Sequence, residues 1–416
     1  MAIGAPTYSD DDSELSDLDG DDAIGFDSDF RAPTLSAKER AGLAPTLGAG
    51  LTRGAGAGDA DADPFGGDVA DPSVAAAPDF GAAVYEIPCP SSTRAQCAAF
   101  NPDGSLLAFG CEDGIVRAHD ATTGRPSALL NTAKHDDPDA PRGVVTAVRF
   151  LRGAADDGAT KNVALVATSA GRVFHWHATS GAVLGDPIVE THNQTFALDV
   201  RADGRAFATA GSDATVRAYD QTTRREVSRL PPYDPSGPGS AAEGHADRVF
   251  AVRYLDENAD VLASAGWDNV LTVWDARAGT RAARKIQGPS VCGDAVDARF
   301  VGGGVEILTG SWRDRRAVQL WDLGTGRLVA DVPFGAPAGE KNCAVYGARF
   351  AKKGGTVVAA GSGSNEARAV DPKTGRCAAR VAGLPAAAHA VELAPDEGMV
   401  AVTCADGVRV YETRGS

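Results

Sequence analysis

Residues 264–279 read SAGWDNVLTVWDARAG and hold two Trp-Asp pairs, Trp267-Asp268 and Trp274-Asp275. The first pair sits in a Gly-Trp-Asp-Asn turn between two short apolar runs, VLASAG and VLTVWD, while the second ends the later run. Two β-type runs joined by a tight polar turn read as a hairpin. One aromatic-acid pair therefore falls on a turn and the other at a strand end, and the two need not serve the same purpose.

The same grammar recurs along the chain. CAAFNPDGSLLAFGCEDGIVRAHDATTG (97–124), TFALDVRADGRAFATAGSDATVRAYDQTT (195–223) and RVFAVRYLDENADVLASAGWDNVLTVWDARAG (248–279) are clear copies. DARFVGGGVEILTGSWRDRRAVQLWDLGTG (297–326) and YGARFAKKGGTVVAAGSGSNEARAVDPKTG (346–375) follow, and weaker copies lie at 145–181 and 390–415. A first strand ends on a large apolar anchor: Phe100, Phe150, Val200, Tyr254, Phe300, Phe350 and Leu393. A small-residue strand, a turn often carrying Asp, and a third strand ending in an aromatic-acid pair come next. Repeats of this length mean stacked supersecondary units.

The chain resembles the WD-repeat family over about 82–416, most strongly at Gly244-His245, Ser264, Asp268 and Trp274-Asp275. The resemblance implies an all-β fold: a single seven-bladed WD-repeat β-propeller with one four-stranded sheet per blade. The last copy has no room for a fourth strand, so AAVYEIP (82–88) is expected to close the ring and cover an open edge. In the family the Trp of the second pair packs between blades and joins a buried network with a Ser, an Asp and a His. Here these would be Trp274, Ser264, Asp268 and His245, placing the Ser-His-Asp set in the architecture and not in catalysis.

The resemblance places Trp267 on the top face of the disc. Aligned copies give an inner ring of Gln96, Thr146, Phe196, Phe250, Val296, Tyr346 and His389. One sector gathers Phe196, Arg248, Phe250, Trp267, Trp312, Arg313 and Tyr346, while the opposite side offers Gln96, Glu112, Thr146 and Ala170. Aromatic and Arg side chains dominate binding hot spots. Two readings of Trp267 and Trp312 stand at this point: a partner-binding face, or packing on neighbouring loops.

Charge divides the chain differently. Residues 1–80 carry 17 Asp and Glu against 4 Arg and Lys, most of the chain's net −16. Few large apolar residues stand there, so 1–81 is expected to be a disordered acidic tail, with Ser13, Ser16 and Ser28 set among acids. The remainder is nearly balanced, against nucleic-acid binding by phosphate contacts. Seven scattered cysteines without a C-x-x-C spacing read as reduced intracellular thiols. No 18-residue apolar run or secretory leader is present, so neither membrane insertion nor secretion is expected, and the compartment is cytoplasm or nucleus. Phosphate-loop, dinucleotide, zinc-protease and nucleophile-elbow motifs are absent, and no cofactor or metal is expected; His175 and His177 share a strand face without a further ligand nearby. The expected function is a non-catalytic scaffold, a subunit of a larger complex binding a protein or peptide, possibly a basic one. The alternatives are a structural subunit using blade sides and tail, or a propeller enzyme with chemistry in its central channel.

Overall fold

The computed structural model describes residues 80–413, except 91–92, 136–142, 153–159, 235–243, 256–259, 278–281, 314, 335–342 and 352–354. The acidic segment and its serines lie outside the described residues. Among the described residues the strands form seven four-stranded antiparallel sheets, with a single turn of 3-10 helix at Thr132–His135. Blade 1 runs from Ala95 to Asn131, blade 2 from Val145 to Val189, blade 3 from Thr195 to Leu230 and blade 4 from Val249 to Gln287. Blade 5 runs from Val296 to Val332, blade 6 from Ala344 to Val381 and blade 7 from Ala390 to Glu412. The strand Tyr85–Pro88 pairs with Gly407–Glu412 as the outer strand of blade 7, closing the ring with the first described strand. Phe80, assigned to the tail by charge, is buried beside Tyr411 (ring centroids 6.0 Å apart), so the packed unit takes in that residue as well.

Burial explains the sequence pattern. Second strands such as LLAFGC and AFATAG are buried at every position, because both faces of a blade are covered by neighbours. Small residues there let blades approach closely. The outer strand Ala282–Gln287 alternates between exposed and covered positions, as a half-solvated strand should. The apolar core is a set of seams. Separate clusters join blades 1 and 2, 2 and 3, 3 and 4, 6 and 7, and 7 and 1, and one larger cluster spans blades 4 to 6.

The acid that follows the third-strand aromatic has a local task. The Asp120 carboxylate accepts the Thr123 backbone N–H (2.7 Å), and Asp220 and Asp322 do the same for Thr223 (2.7 Å) and Thr325 (2.6 Å). Each carboxylate thereby holds the turn into the outer strand. The turn acids Asp113, Asp213 and Asp268 accept the N–H two residues on in the preceding hairpin.

Blade 5 departs from the aligned pattern. Phe300 is not a core anchor; it is 58% exposed, and Ala298 faces Ile307 where Phe100 faces Leu107 in blade 1. The hairpin continues past the core to a Gly302-Gly303 tip, both residues in the left-handed region (φ 57° and 86°). Alignment on the Phe therefore misplaces the innermost strand by two residues. A two-residue slip preserves which face each side chain uses, so polarity alone does not reveal it.

Candidate functional site

Five innermost strands carry a β-bulge at their first turn of register: between Ala95 and Cys97, Val145 and Ala147, Thr195 and Ala197, Val249 and Ala251, and Val345 and Gly347. The residues set out by these bulges are Gln96, Thr146, Phe196, Phe250 and Tyr346, members of the aligned inner ring. A bulge re-aims a side chain away from the ladder. Of the other two members, His389 immediately precedes the innermost strand of blade 7, Ala390–Leu393, and Val296 pairs in register with Thr309 and is fully buried. The two-residue slip gives its place to Asp294.

On one side of this face, Phe196 stacks on Phe250 (centroids 4.9 Å, planes 10° apart), and Phe250 meets Trp267 at 5.0 Å. The exposed Arg248 lies over the Trp267 ring at 5.4 Å, a cation–π distance. Phe250 itself is buried beneath its neighbours, while Phe196 and Trp267 are half-buried. The Trp267 indole also reaches the Cys292 thiol, whose pKa burial pushes up to about 11 against the opposing effect of that hydrogen bond.

Trp312 and Tyr346 form a second group. Burial raises the Tyr346 hydroxyl pKa, opposed by hydrogen bonds with Ser362 and Trp312, and its ring meets His389 edge-on at 5.8 Å. Burial likewise holds His389 below the usual histidine range. Arg313 is committed elsewhere: it donates to the carbonyls of Gly288 (3.0 Å) and Arg316 (2.7 Å) and to Gln319, bracing its own turn. Across the face Gln96 donates to Glu112 (2.8 Å), a polar pair.

Beneath the second Trp-Asp pair, the Trp274 indole donates to Ser264 Oγ (2.7 Å). His245 bridges Ser264 (2.7 Å, Nε2) and Asp268 (2.7 Å, Nδ1). The tautomer protonated at Nδ1 gives every member a partner, with the Ser hydroxyl donating to Nε2. His245, Ser264 and Trp274 are completely enclosed, so no substrate reaches Ser264 without opening the blade. Blade 3 builds the same frame with other residues. Glu190 accepts from Tyr219 Oη (2.8 Å), Thr195 Oγ1 (2.8 Å), Asn193 Nδ2 (2.7 Å) and Thr209. Glu190 stands as far before Thr209 as His245 stands before Ser264, which is the signal in the sequence that marks it.

Sequence alignment missed the central channel. Three residues beyond the inner-ring position stand Arg149, Asp199, Arg253, Arg349 and Glu392, in blades 2, 3, 4, 6 and 7. Aligning blade 5 on Phe300 adds Arg299 and sets three guanidinium groups side by side. The observed register adds Asp297 instead, and the signs alternate around the ring. Asp199 accepts from Arg253 (3.2 Å) and lies 3.8 Å from Arg149; Arg253 lies 3.7 Å from Asp297, and Arg349 pairs with Glu392 at 2.9 Å. Asp294 lies across the centre, pairing with Arg149, Arg349 and Arg253. Burial raises the Asp294 pKa, but these three cations outweigh it and hold the carboxyl far below its usual range. Asp199 and Asp297 also accept backbone N–H bonds from Tyr254 (2.8 Å) and Phe350 (2.9 Å) of the next blade, so the ring ties blades together. Arg299 turns to Glu306 and the Phe350 ring.

Among the described residues, no group of three or more His, Cys, Asp or Glu side chains could hold a metal ion. His175 and His177 have different partners, Gln221 (3.3 Å) and Ser180 (2.9 Å). No helix among the described residues is long and apolar enough to cross a membrane.

Comparison with known proteins agrees with the architecture. Residues 80–151 match the anaphase-promoting complex subunit 4 WD40 domain model, and residues 239–275 match the WD domain, G-beta repeat model. The chain is 32% identical to coronin-7 of Rattus norvegicus over 90 residues, which is 21% of this chain and 9% of that protein. With seven closed four-stranded blades and the Trp-Ser-His-Asp network inside one of them, the chain is a WD-repeat β-propeller that matches WD-repeat family models over two of its segments.

Proposed function

We propose that the protein is a non-catalytic interaction scaffold within a larger intracellular complex, and that a protein or peptide segment docks on the face where the innermost strands begin. The observation that carries this reading is the Phe196–Phe250–Trp267 stack capped by the exposed Arg248. Phe250 supports the group from below, while Phe196, Trp267 and Arg248 remain open to contact. Such a cluster offers large apolar area on a rigid base, with little side-chain entropy left to lose on binding. Trp312 and Tyr346 extend the surface around the ring, and Arg313 serves as a brace for it. The acidic segment, with its excess of carboxylates, attracts a basic partner by a salt-sensitive interaction.

The test is affinity capture with mass spectrometry using the wild type, Arg248→Glu, Trp267→Ala, and Gln96→Ala on the opposite side. The reading expects the first two variants to lose the same partners while folded, and Gln96→Ala to retain them. Unchanged capture by folded Arg248→Glu and Trp267→Ala would move binding to the blade sides, the structural-subunit alternative. A chain lacking residues 1–79 should bind the same partners with weaker salt dependence.

A further inference from the structure

The seam where the ring closes holds a pair of cysteines. Cys89 directly follows the closing strand Tyr85–Pro88, and its N–H donates to the Asp406 carbonyl of blade 7 (2.9 Å). Its thiol nevertheless faces blade 1, where Sγ lies 3.6 Å from Sγ of Cys111 at the end of Leu106–Cys111. Both are free, Cys111 fully enclosed and Cys89 half-buried. Their surroundings hold them in place: Ile87 shares an apolar cluster with Ala95, Phe109 and Cys111, and Tyr85 Oη donates to the Ala121 carbonyl of blade 1 (2.6 Å). A side chain at Gly124 would strike the Tyr85 ring, so the seam is closely fitted here as well.

We propose that Cys89 and Cys111 are a reversible redox clasp, whose oxidation by a hydroperoxide bonds the closing strand to blade 1 and so fixes it in the position from which it pairs with blade 7. In the first step the Cys89 thiolate attacks one peroxide oxygen. An S–O bond forms, the O–O bond breaks, and the other oxygen leaves with a proton as water or an alcohol. The sulfur gives up two electrons and becomes a sulfenic acid. In the second step Cys111, losing its proton, attacks the Cys89 sulfur. The S–S bond forms, the S–O bond breaks, and hydroxide takes that proton and leaves as water. Two thiols and one hydroperoxide thus give one disulfide, one water and one water or alcohol. A dithiol reverses the bond by exchange.

The geometry suits these roles. The sulfurs must approach by roughly 1.5 Å to reach disulfide length, within the scope of side-chain rotation beyond a strand end. The partly open Cys89 meets the oxidant, and the enclosed Cys111 resolves the sulfenic acid before a second oxidation can occur. The hydrogen bond with Cys111 draws the Cys89 thiol below its ordinary pKa against the effect of burial, with Arg117 adding to the pull. That same bond and burial raise Cys111. The disulfide closes a loop between residues 22 apart and leaves the closing strand fewer ways to move off blade 7, with which its pairing stays non-covalent.

The full-length chain, reduced and then treated with hydrogen peroxide, is digested without reductant and analysed by mass spectrometry. The proposal expects a peptide pair linked through Cys89 and Cys111, two fewer free thiols, reversal by dithiothreitol, and a melting midpoint raised by a few degrees. In Cys111→Ser the oxidised Cys89 should persist as a sulfenic acid that dimedone traps. If that variant fails to fold, Cys89→Ser, at the more open position, should abolish both the linkage and the rise in midpoint. Wild-type Cys89 stopping at sulfenic or sulfinic acid, linkage through other cysteines, or an unchanged midpoint after complete linkage would overturn the clasp.

Discussion

Blades 2 and 4 each bury a tryptophan at the same place, Trp176 and Trp274, and neither ring is exposed at all. Only in blade 4 does the indole N–H have a described acceptor. Trp274 reaches Ser264; Trp176 Nε1 finds no partner among the described residues, because Val166 stands where the serine would. Blades 3 and 5 lie between these extremes, with Thr209 and Thr309 as the corresponding hydroxyls and Trp321 donating to Thr309 at 2.9 Å. The ring fills the seam in every case, whereas the polar network is optional.

The largest effect that separates the two blades should come from the tryptophans themselves. Trp274→Ala removes a buried ring and leaves Ser264 and His245 partly unpaired, so a loss of roughly 3–5 kcal/mol is expected. Trp176→Ala should cost less, since no network is broken, and denaturant unfolding of both variants measures the difference. Ser264→Val, which copies blade 2 into blade 4, should cost about 1–3 kcal/mol by stranding the Trp274 and His245 groups. The reverse exchange, Val166→Thr, keeps the shape and offers Trp176 the hydroxyl that Thr309 offers Trp321. It should be neutral or stabilising, by no more than about 1 kcal/mol. A clear loss from Val166→Thr would mean that the Trp176 indole is satisfied in some other way.

A pH effect sharpens the comparison further. Burial, helped by the Arg224 charge, lowers the blade 2 residue His175 from 6.5 to about 4. Between those values the unfolded chain binds a proton that the folded chain refuses. Stability should therefore fall as pH drops through this window, and His175→Gln should flatten the fall. The Asp294 contribution has a different window. Its folded pKa is depressed, so its stabilisation is complete above the unfolded value of about 4 and is lost below it. Melting midpoints recorded from pH 7 to pH 3 for His175→Gln and Asp294→Asn separate the two.

Much of this architecture is legible in the sequence, because each blade repeats one amphipathic pattern and the turn acids recur with it. The closing strand was readable from what the last repeat lacked. Blade 5 was not, because a two-residue slip leaves the inward-outward pattern unchanged; only the electrostatic cost of placing Arg299 beside Arg253 and Arg349 argues for the true register. The charge ring depended on that register and was missed with it. Glu190 was missed because a carboxylate replaces the expected histidine, although its distance from Thr209 is preserved. In the aromatic sector, composition gave the residue types but not their commitments: Phe250 supports its neighbours from beneath, and Arg313 spends its donors on its own turn.

The central claim is that the two Trp-Asp pairs divide the work, Trp274 framing the blade and Trp267 meeting the partner. The most direct measurement records melting and partner capture side by side for Arg248→Glu, Trp267→Ala and Trp274→Ala. The account predicts a wild-type midpoint with lost capture for Arg248→Glu, lost capture in the folded protein for Trp267→Ala, and a large drop in midpoint for Trp274→Ala. Full capture by folded Arg248→Glu and Trp267→Ala would contradict it and leave both tryptophans as parts of the frame.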